Sequence, residues 1–404
     1  MPMHDDAPRS AQSDPRHFRV IVPMSSRPSI DIAFQTDDGH AWMTGIAVRS
    51  LITAFARSLN SKTYRLRIFF ISHGLNETHR ALLDRSSASD SVEVRTEIVD
   101  CPLGAATPDE RRIELFTLRL QFAQVLPHLD RVLFLDSDIL VMDDIAKLWE
   151  TDLKGHWLGA AACLVTSDEV CLRNYNNEFK IQFNGPNDPI NGGVMLLDLR
   201  RMREQQIGAV LTDWLNLHRA TIYNPDQEAI SMHCAGRFTV LPPEWNYRLF
   251  AEPYWTSSWR GFREYIGLKP SIVHFQNPLR PNVIVGALPY FTEWIACHDD
   301  VNQKKLTGAK PMDYFMFVYF EFYVVMTMLA TGIASYRWRA FLTGVFLSPY
   351  ALLKYAQYRL APARYRFAIW NRLPDAEPAR LDEPAGLAPQ AGRCGPASPT
   401  MTGK

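Results

Sequence analysis

The stretch RVLFLDSDILV, Arg131 to Val141, runs four apolar residues into Asp136-Ser137-Asp138 and then returns at once to apolar residues. A short apolar run bounded by charge reads as a buried strand, so two carboxylates stand one residue apart at a strand end. Like charges this close repel, and one carboxyl keeps its proton unless a cation lies between them. A hard divalent ion such as Mn²⁺ or Mg²⁺, bound through oxygen, would supply that cation. Solvated loop acids or helix N-caps would leave the same short pattern, and Asp143-Asp144 just downstream fit either description.

Outward from this stretch the chain alternates between strand and helix patterns. IDIAF (30–34), LRIFFIS (66–72) and SVEVRTEIVD (91–100) read as strands. AWMTGIAVRSLITAFARS (41–58), THRALLDRSS (78–87) and LFTLRLQFAQVL (115–126) carry helical spacing, the last closed by Pro127. Such alternation predicts an α/β fold with a mostly parallel sheet and helices on both faces. Ligands of these sheets sit beyond the carboxyl ends of the strands, where the strand order switches. Asp136 and Asp138 lie at such an end.

The whole chain sets bounds on this reading. It has 404 residues, 47% of them hydrophobic, which suits a sizeable core. Lys plus Arg and Asp plus Glu both number 43, and this balance argues against nucleic acid as the main partner. The six cysteines form no CxxC pair and read as reduced residues of a cytosolic protein. No apolar h-region of a secretory signal appears in the first residues.

Three further stretches carry candidate chemistry, each with a plainer reading beside it. In DPINGGVMLLDL (188–199) paired glycines precede a strand; they permit close backbone approach to a ligand, or form an ordinary turn. In YNPDQEAIS (223–231) Asp226 and Gln227 open a helix, where an acid also suits the helix dipole. SIVHFQNPLRPN (271–282) ends a strand on His274, which a satisfied core histidine would explain equally.

Taken together and in this order, FQTDDGHA, FTLRL, LFLDSDIL, INGGVMLLDL, NPDQEAIS, LPPEWNYR and VHFQNPLRP resemble glycosyltransferase family 8, from about Ile30 to Asn282. The resemblance implies a Rossmann-like nucleotide-diphospho-sugar transferase fold of GT-A type with a mostly parallel mixed sheet. It implies that Asp136, Asp138 and His274 hold Mn²⁺, or Mg²⁺ in its place, against the two phosphates of a UDP-sugar. Asp37, with Asp38 and His40 beside it, would meet the uracil, and Arg119 would sit near the diphosphate or donor sugar. Asn191, Gly192 and Gly193 would face that sugar, Asp226 would accept from its hydroxyls, and Gln227 would lie beneath the anomeric carbon. His40 stands where relatives have a stacking tyrosine, Arg280 where they have a lysine on the diphosphate, and Asn277 where they have glycine.

The C-terminal third differs in character. YFMFVYFEFYVVMTMLATGIASY (314–336) is long enough to span a bilayer, but Glu321 and several tyrosines and threonines oppose that. Arg and Lys interleaved with aromatic residues follow, which suits a helix lying on an anionic membrane surface. The expected division is a disordered 1–28, a catalytic domain over 29–300, a membrane-associating helical extension over 301–373 and a disordered tail over 374–404. The resemblance implies a retaining hexosyltransferase moving galactose or glucose to a saccharide or glycolipid acceptor such as lipopolysaccharide. Its expected place is cytoplasmic, peripheral on the inner face of the cell membrane. A haloacid-dehalogenase-like phosphatase also uses Asp-X-Asp, but on its first strand, and a catalytically silent UDP-sugar or glycan-binding protein is the third reading.

Overall fold

The computed structural model describes residues 27–101, 104, 114–163, 176, 183, 185, 189–218, 225–248, 268–275 and 290–302. Seven strands form one sheet: β1 (Ser29–Thr36), β2 (Arg65–Ser72), β3 (Val94–Asp100), β4 (Arg131–Leu135), β6 (Leu158–Ala162), β7 (Ile190–Asp198) and β8 (Thr239–Leu241), in the order β3-β2-β1-β4-β7-β6-β8. The first four run parallel, whereas β7 is antiparallel to both β4 and β6. The sheet is thus the expected mostly parallel mixed one. Its order turns back between β1 and β4, and a switch of this kind opens a crevice beyond the strand ends.

Alternate strand residues point to opposite faces, and both faces are covered. Ile32, Phe34, Leu133 and Leu135 pack on one side with α1 (Ala41–Ala56), α2 (Glu77–Ser87) and α4 (Ile145–Trp149). Ala33, Phe69, Val132 and Phe134 pack on the other. That side carries α3 (Phe122–Val125), α5 (Leu199–Glu204), α6 (Ile207–His218) and α7 (Pro225–Cys234). A last helix, α8 (Phe291–Asn302), lies against α1.

Beside the large sheet stands a second one of three strands, in the order β5-β10-β9, made of β5 (Ile139–Val141), β10 (Ile272–His274) and β9 (Tyr247–Arg248). Antiparallel pairing sets His274 opposite Ile139, so the histidine arrives next to Asp138 by register.

Two expectations are corrected. The helix read over 115–126 is interrupted by a 3-10 turn at Arg119–Gln121 before the single turn of α3. Arg119 thereby sits at a change of helical pitch, and its side chain is held by acids from elsewhere in the chain. Asn191-Gly192-Gly193 does not precede its strand but lies within β7, where pairing with β6 jumps from Ala160–Met195 to Ala161–Asn191. The glycines make that irregularity, a bulge that re-aims the backbone. The aromatic and basic stretch from 314 onward, the tail and Arg280 lie outside the described residues; among those described, no helix is long and apolar enough to cross a membrane.

Asp144 does prove to be a helix cap: its carboxylate accepts from Ala146 N (3.0 Å), Ser58 Oγ (2.6 Å) and Asn60 Nδ2 (2.7 Å). Asp143, by contrast, pairs with Lys147 on the surface. Replacing Asp144 with Ala is expected to cost about 2 kcal/mol, through the lost cap and two unpaired partners. Asp143→Ala should stay within ~0.5 kcal/mol. Urea denaturation of the two variants checks the contrast.

Candidate active site

Three segments meet at the carboxyl end of β4. Asp136 follows β4, Asp138 precedes β5 and His274 ends β10. His274 Nε2 lies 3.2 Å from Asp138 Oδ1 and 3.8 Å from Asp136 Oδ2. One ligand atom from each of the three falls within 4.8 Å of the others, the one such group found among the described residues. Backbone bonds fix the acids: Asp136 N donates to Gly193 O, and Phe275 N to Asp138 O, both at 2.8 Å. Two carboxylates and one imidazole make an oxygen-rich donor set that suits Mn²⁺, and Mg²⁺ through its oxygens. The residues present therefore fit a divalent ion. Gly193 is part of that fit, because a Cβ there would lie 2.2 Å from His274 Cε1.

Arg119 joins this group to the second acid site. Its guanidinium reaches Asp226 Oδ2 at 3.0 Å and Asp136 Oδ1 at 3.4 Å, and its Cζ lies 4.6 Å from the centre of the Phe134 ring. Burial opposes its charge, yet Asp226, Asp136 and Asp138 outweigh burial and hold the guanidinium above its ordinary pKa. Burial pushes the Asp136 carboxyl above the usual range; Asp138 and Asp226 add to the rise, while Arg119 and His274 oppose it. Asp226 is itself buried, at the start of α7 as the sequence suggests. Gln227 beside it accepts from Gly192 N through Oε1 at 2.9 Å.

A cleft of about 240 Å³ opens over β1 and β4, lined among others by Thr36, Asp37, His40, Arg119, Asp136 and Asp138. Asp37 Oδ1 accepts from His40 N (2.9 Å) and pairs with His40 Nδ1 (2.7 Å). The His40 side-chain bond leads the effects that draw the Asp37 carboxyl below its usual range. Asp38 turns instead to the start of α2, accepting from Asn76 N (2.9 Å) and pairing with His79 Nδ1 (2.7 Å).

The structure therefore brings together Asp136, Asp138 and His274 with Arg119, Asp226, Gln227, Asn191, Gly192 and Gly193, and sets Asp37 and His40 on the same cleft. Sequence reasoning did not single out Gln35 and His73, which also line it. Gln35 Nε2 donates to Leu115 O (2.5 Å) and meets His73 Nε2 (2.8 Å). Polar residues at the ends of two apolar strands were the available signal. Asn246, in the LPPEWNYR turn noted from sequence, was given no role there, although it bonds both His274 and Asn191.

With this geometry in place, comparison with known proteins is informative. The model of the family described as glycosyl transferase family 8 matches residues 31–281. A probable galacturonosyltransferase-like 3 of Arabidopsis thaliana is 34% identical over 113 residues, 25% of this chain and 31% of that protein. This chain spans less than a third of the length of that protein and of a second such relative from the same plant. The crystal structure of the galactosyltransferase LgtC in complex with donor and acceptor sugar analogs has a TM-score of 0.51 at 20% identity, covering 69% of this chain and 98% of that one. The bifunctional glycosyltransferase WbbM gives a TM-score of 0.53 at 18% identity, covering 71% of this chain and 53% of that one. At these identities the two structures establish the fold, a GT-A type.

Two outcomes are expected from the site's packing and charge. Gly193→Ala forces His274 to move, at a cost of about 1–3 kcal/mol; a thermal melt and a Mn²⁺ titration should show lower stability and weaker ion binding. Because its pKa is raised in the folded protein, Asp136 contributes most stability below the unfolded carboxylate range and loses it as pH rises through the folded pKa. Asp136→Asn should therefore raise the melting temperature of the metal-free protein at pH 7. The difference should shrink toward about pH 4, where the unfolded carboxyl itself takes up its proton. Melts across pH, with and without Mn²⁺, check both the gain and the loss of metal-induced stabilisation.

Proposed function

Because this chain belongs to glycosyltransferase family 8, we propose that it moves a hexose, galactose or glucose, from a UDP-sugar to a saccharide acceptor with retention of anomeric configuration. The observation that carries the reading is the joining of the Asp136–Asp138–His274 cluster to Asp226 through Arg119. Breaking a bond from an anomeric carbon to phosphate requires stabilising a diphosphate leaving group. A divalent ion held by Asp136, Asp138 and His274 would supply positive charge for that purpose.

The chain's own residues supply the rest. Arg119 places a fixed guanidinium beside the diphosphate, already oriented by Asp226 and Asp136, so little reorganisation is needed as charge develops. Asp226 then has its second role in accepting from sugar hydroxyls. Asp37 meets the uracil, and His40, tied to Asp37, offers its ring face to the base. Gly192 and Gly193 spend their N–H groups on Gln227 and Asn191, so they serve the donor by lacking side chains. An amide oxygen that already accepts from Gly192 N is a poor nucleophile, which favours attack by the acceptor on the face the phosphate leaves, with that phosphate as base. Arg280, expected to touch the diphosphate, completes the set.

The acceptor we favour is a saccharide on a lipid carrier or lipopolysaccharide, reached from the cytoplasmic face of the membrane. The alternation of basic and aromatic residues over 337–372 supports this from sequence. Calorimetry of UDP binding with and without Mn²⁺, on wild type and Asp138→Asn, tests the donor site. Mn²⁺-dependent binding that the variant loses is expected, together with UDP release from a UDP-hexose once an acceptor saccharide is added. Absence of UDP binding in every condition would overturn the reading. Binding with no turnover over a broad acceptor panel would favour the silent sugar-nucleotide-binding protein.

A further inference from the structure

Four groups near the metal cluster form an unbroken series of hydrogen bonds whose directions are forced. Gly193 N lies 3.1 Å from one side-chain atom of Asn191. A backbone N–H can only donate, so that atom is the carbonyl oxygen. The same oxygen lies 2.8 Å from a side-chain atom of Asn246, which must then be the amide nitrogen. The remaining atom of that amide, its oxygen, faces His274 Nδ1 at 2.8 Å. An amide oxygen can only accept, so Nδ1 carries a hydrogen. In the neutral ring the lone pair is consequently on Nε2, the nitrogen that faces Asp138 at 3.2 Å and Asp136 at 3.8 Å.

We infer that Asn246, oriented by Asn191 and through it by the Gly193 backbone, is a positioning residue that sets the tautomer and ring angle of His274 for metal ligation. This deepens the metal reading of the proposed function and rests on it. Asn246, Asn191 and His274 are buried to 2%, 3% and 3% exposure, so water does not compete for these bonds. Gly193 also accepts from Asp136 N through its carbonyl. One glycine thus aligns an acid ligand directly and the imidazole ligand through two amides. Without Asn246, the neutral ring is free to place its hydrogen on Nε2, where it blocks ligation.

Such outer partners of metal-ligating histidines typically carry a 10–100-fold effect on metal affinity. The first measurement needs no variant: ¹⁵N spectra of the imidazole nitrogens in metal-free wild type, at a pH where the ring is neutral, should show the hydrogen on Nδ1. Hydrogen on Nε2 would overturn the inference. In Asn246→Leu, close in size but unable to bond, the signal should shift to Nε2–H or a mixture. Mn²⁺ affinity measured by electron paramagnetic resonance should fall about 10–100-fold, while UDP affinity without metal stays within about twofold. Asn191→Leu should shift the tautomer signal and weaken Mn²⁺ binding to a lesser degree, and Asn191→Asp, which keeps the accepting oxygen, should restore the Nδ1–H signal. Unchanged Mn²⁺ affinity in a folded Asn246→Leu would also overturn the inference. If wild type binds no Mn²⁺ at all, the metal reading fails, and the inference that depends on it fails too, whatever the tautomer proves to be.

Discussion

The arrangement depends on how charge is balanced around one guanidinium. Asp136, Asp138 and Asp226 crowd Arg119, which contacts two of them and feels the third. Three carboxylates against one guanidinium leave a negative remainder concentrated on the Asp136–Asp138 side. Burial raises the cost of that remainder, and a divalent cation relieves it. The same guanidinium contacts Asp226, so that acid and the Asp136–Asp138 pair are held as one unit. Removing Arg119 would disturb both at once, because its side chain is anchored to acids on two sides.

Backbone geometry makes this crowding feasible. The irregularity in β7 brings the Gly193 peptide against His274, closer than any residue with a Cβ would allow, and sets Gly192 beside Gln227 and Asp226. Carbonyls and N–H groups from β7 then direct Asp136, Gln227 and Asn191. The site is therefore organised by a strand whose main chain, more than its side chains, does the orienting. A rigid support of this kind is what precise placement of ligands and reacting groups requires.

Much of the fold was legible because its strands obey simple rules. β1, β2 and β4 are apolar runs, since both faces of a parallel sheet are covered, and α1 and α2 announce themselves by helical spacing. Most of the candidate site was legible as well, through short stretches whose residue types suit one chemistry. What escaped depends on tertiary partners. Whether Asn-Gly-Gly precedes a strand or breaks one is decided by pairing with β6. The helix over 115–126 satisfies the local pattern yet contains a 3-10 turn at Arg119–Gln121, whose first side chain pairs with acids remote in sequence. That Asp38 bonds Asn76 and His79, at the start of α2, could not be read from its neighbours in sequence. Asn246 sat in a noted turn, but its importance lies in two bonds to residues remote in sequence.

The second, three-stranded sheet has a consequence for how the protein comes to life. His274 reaches the aspartates only when β10 pairs with β5, and well over a hundred residues separate them in sequence. As the chain is made, β1 to β4 can assemble while the histidine has not yet been synthesised. At ordinary elongation speeds that interval is on the order of ten seconds. Through it the two aspartates lack the imidazole that completes their cluster. The order of synthesis thus supplies the parallel half of the sheet first and the third member of the Asp136–Asp138–His274 cluster late.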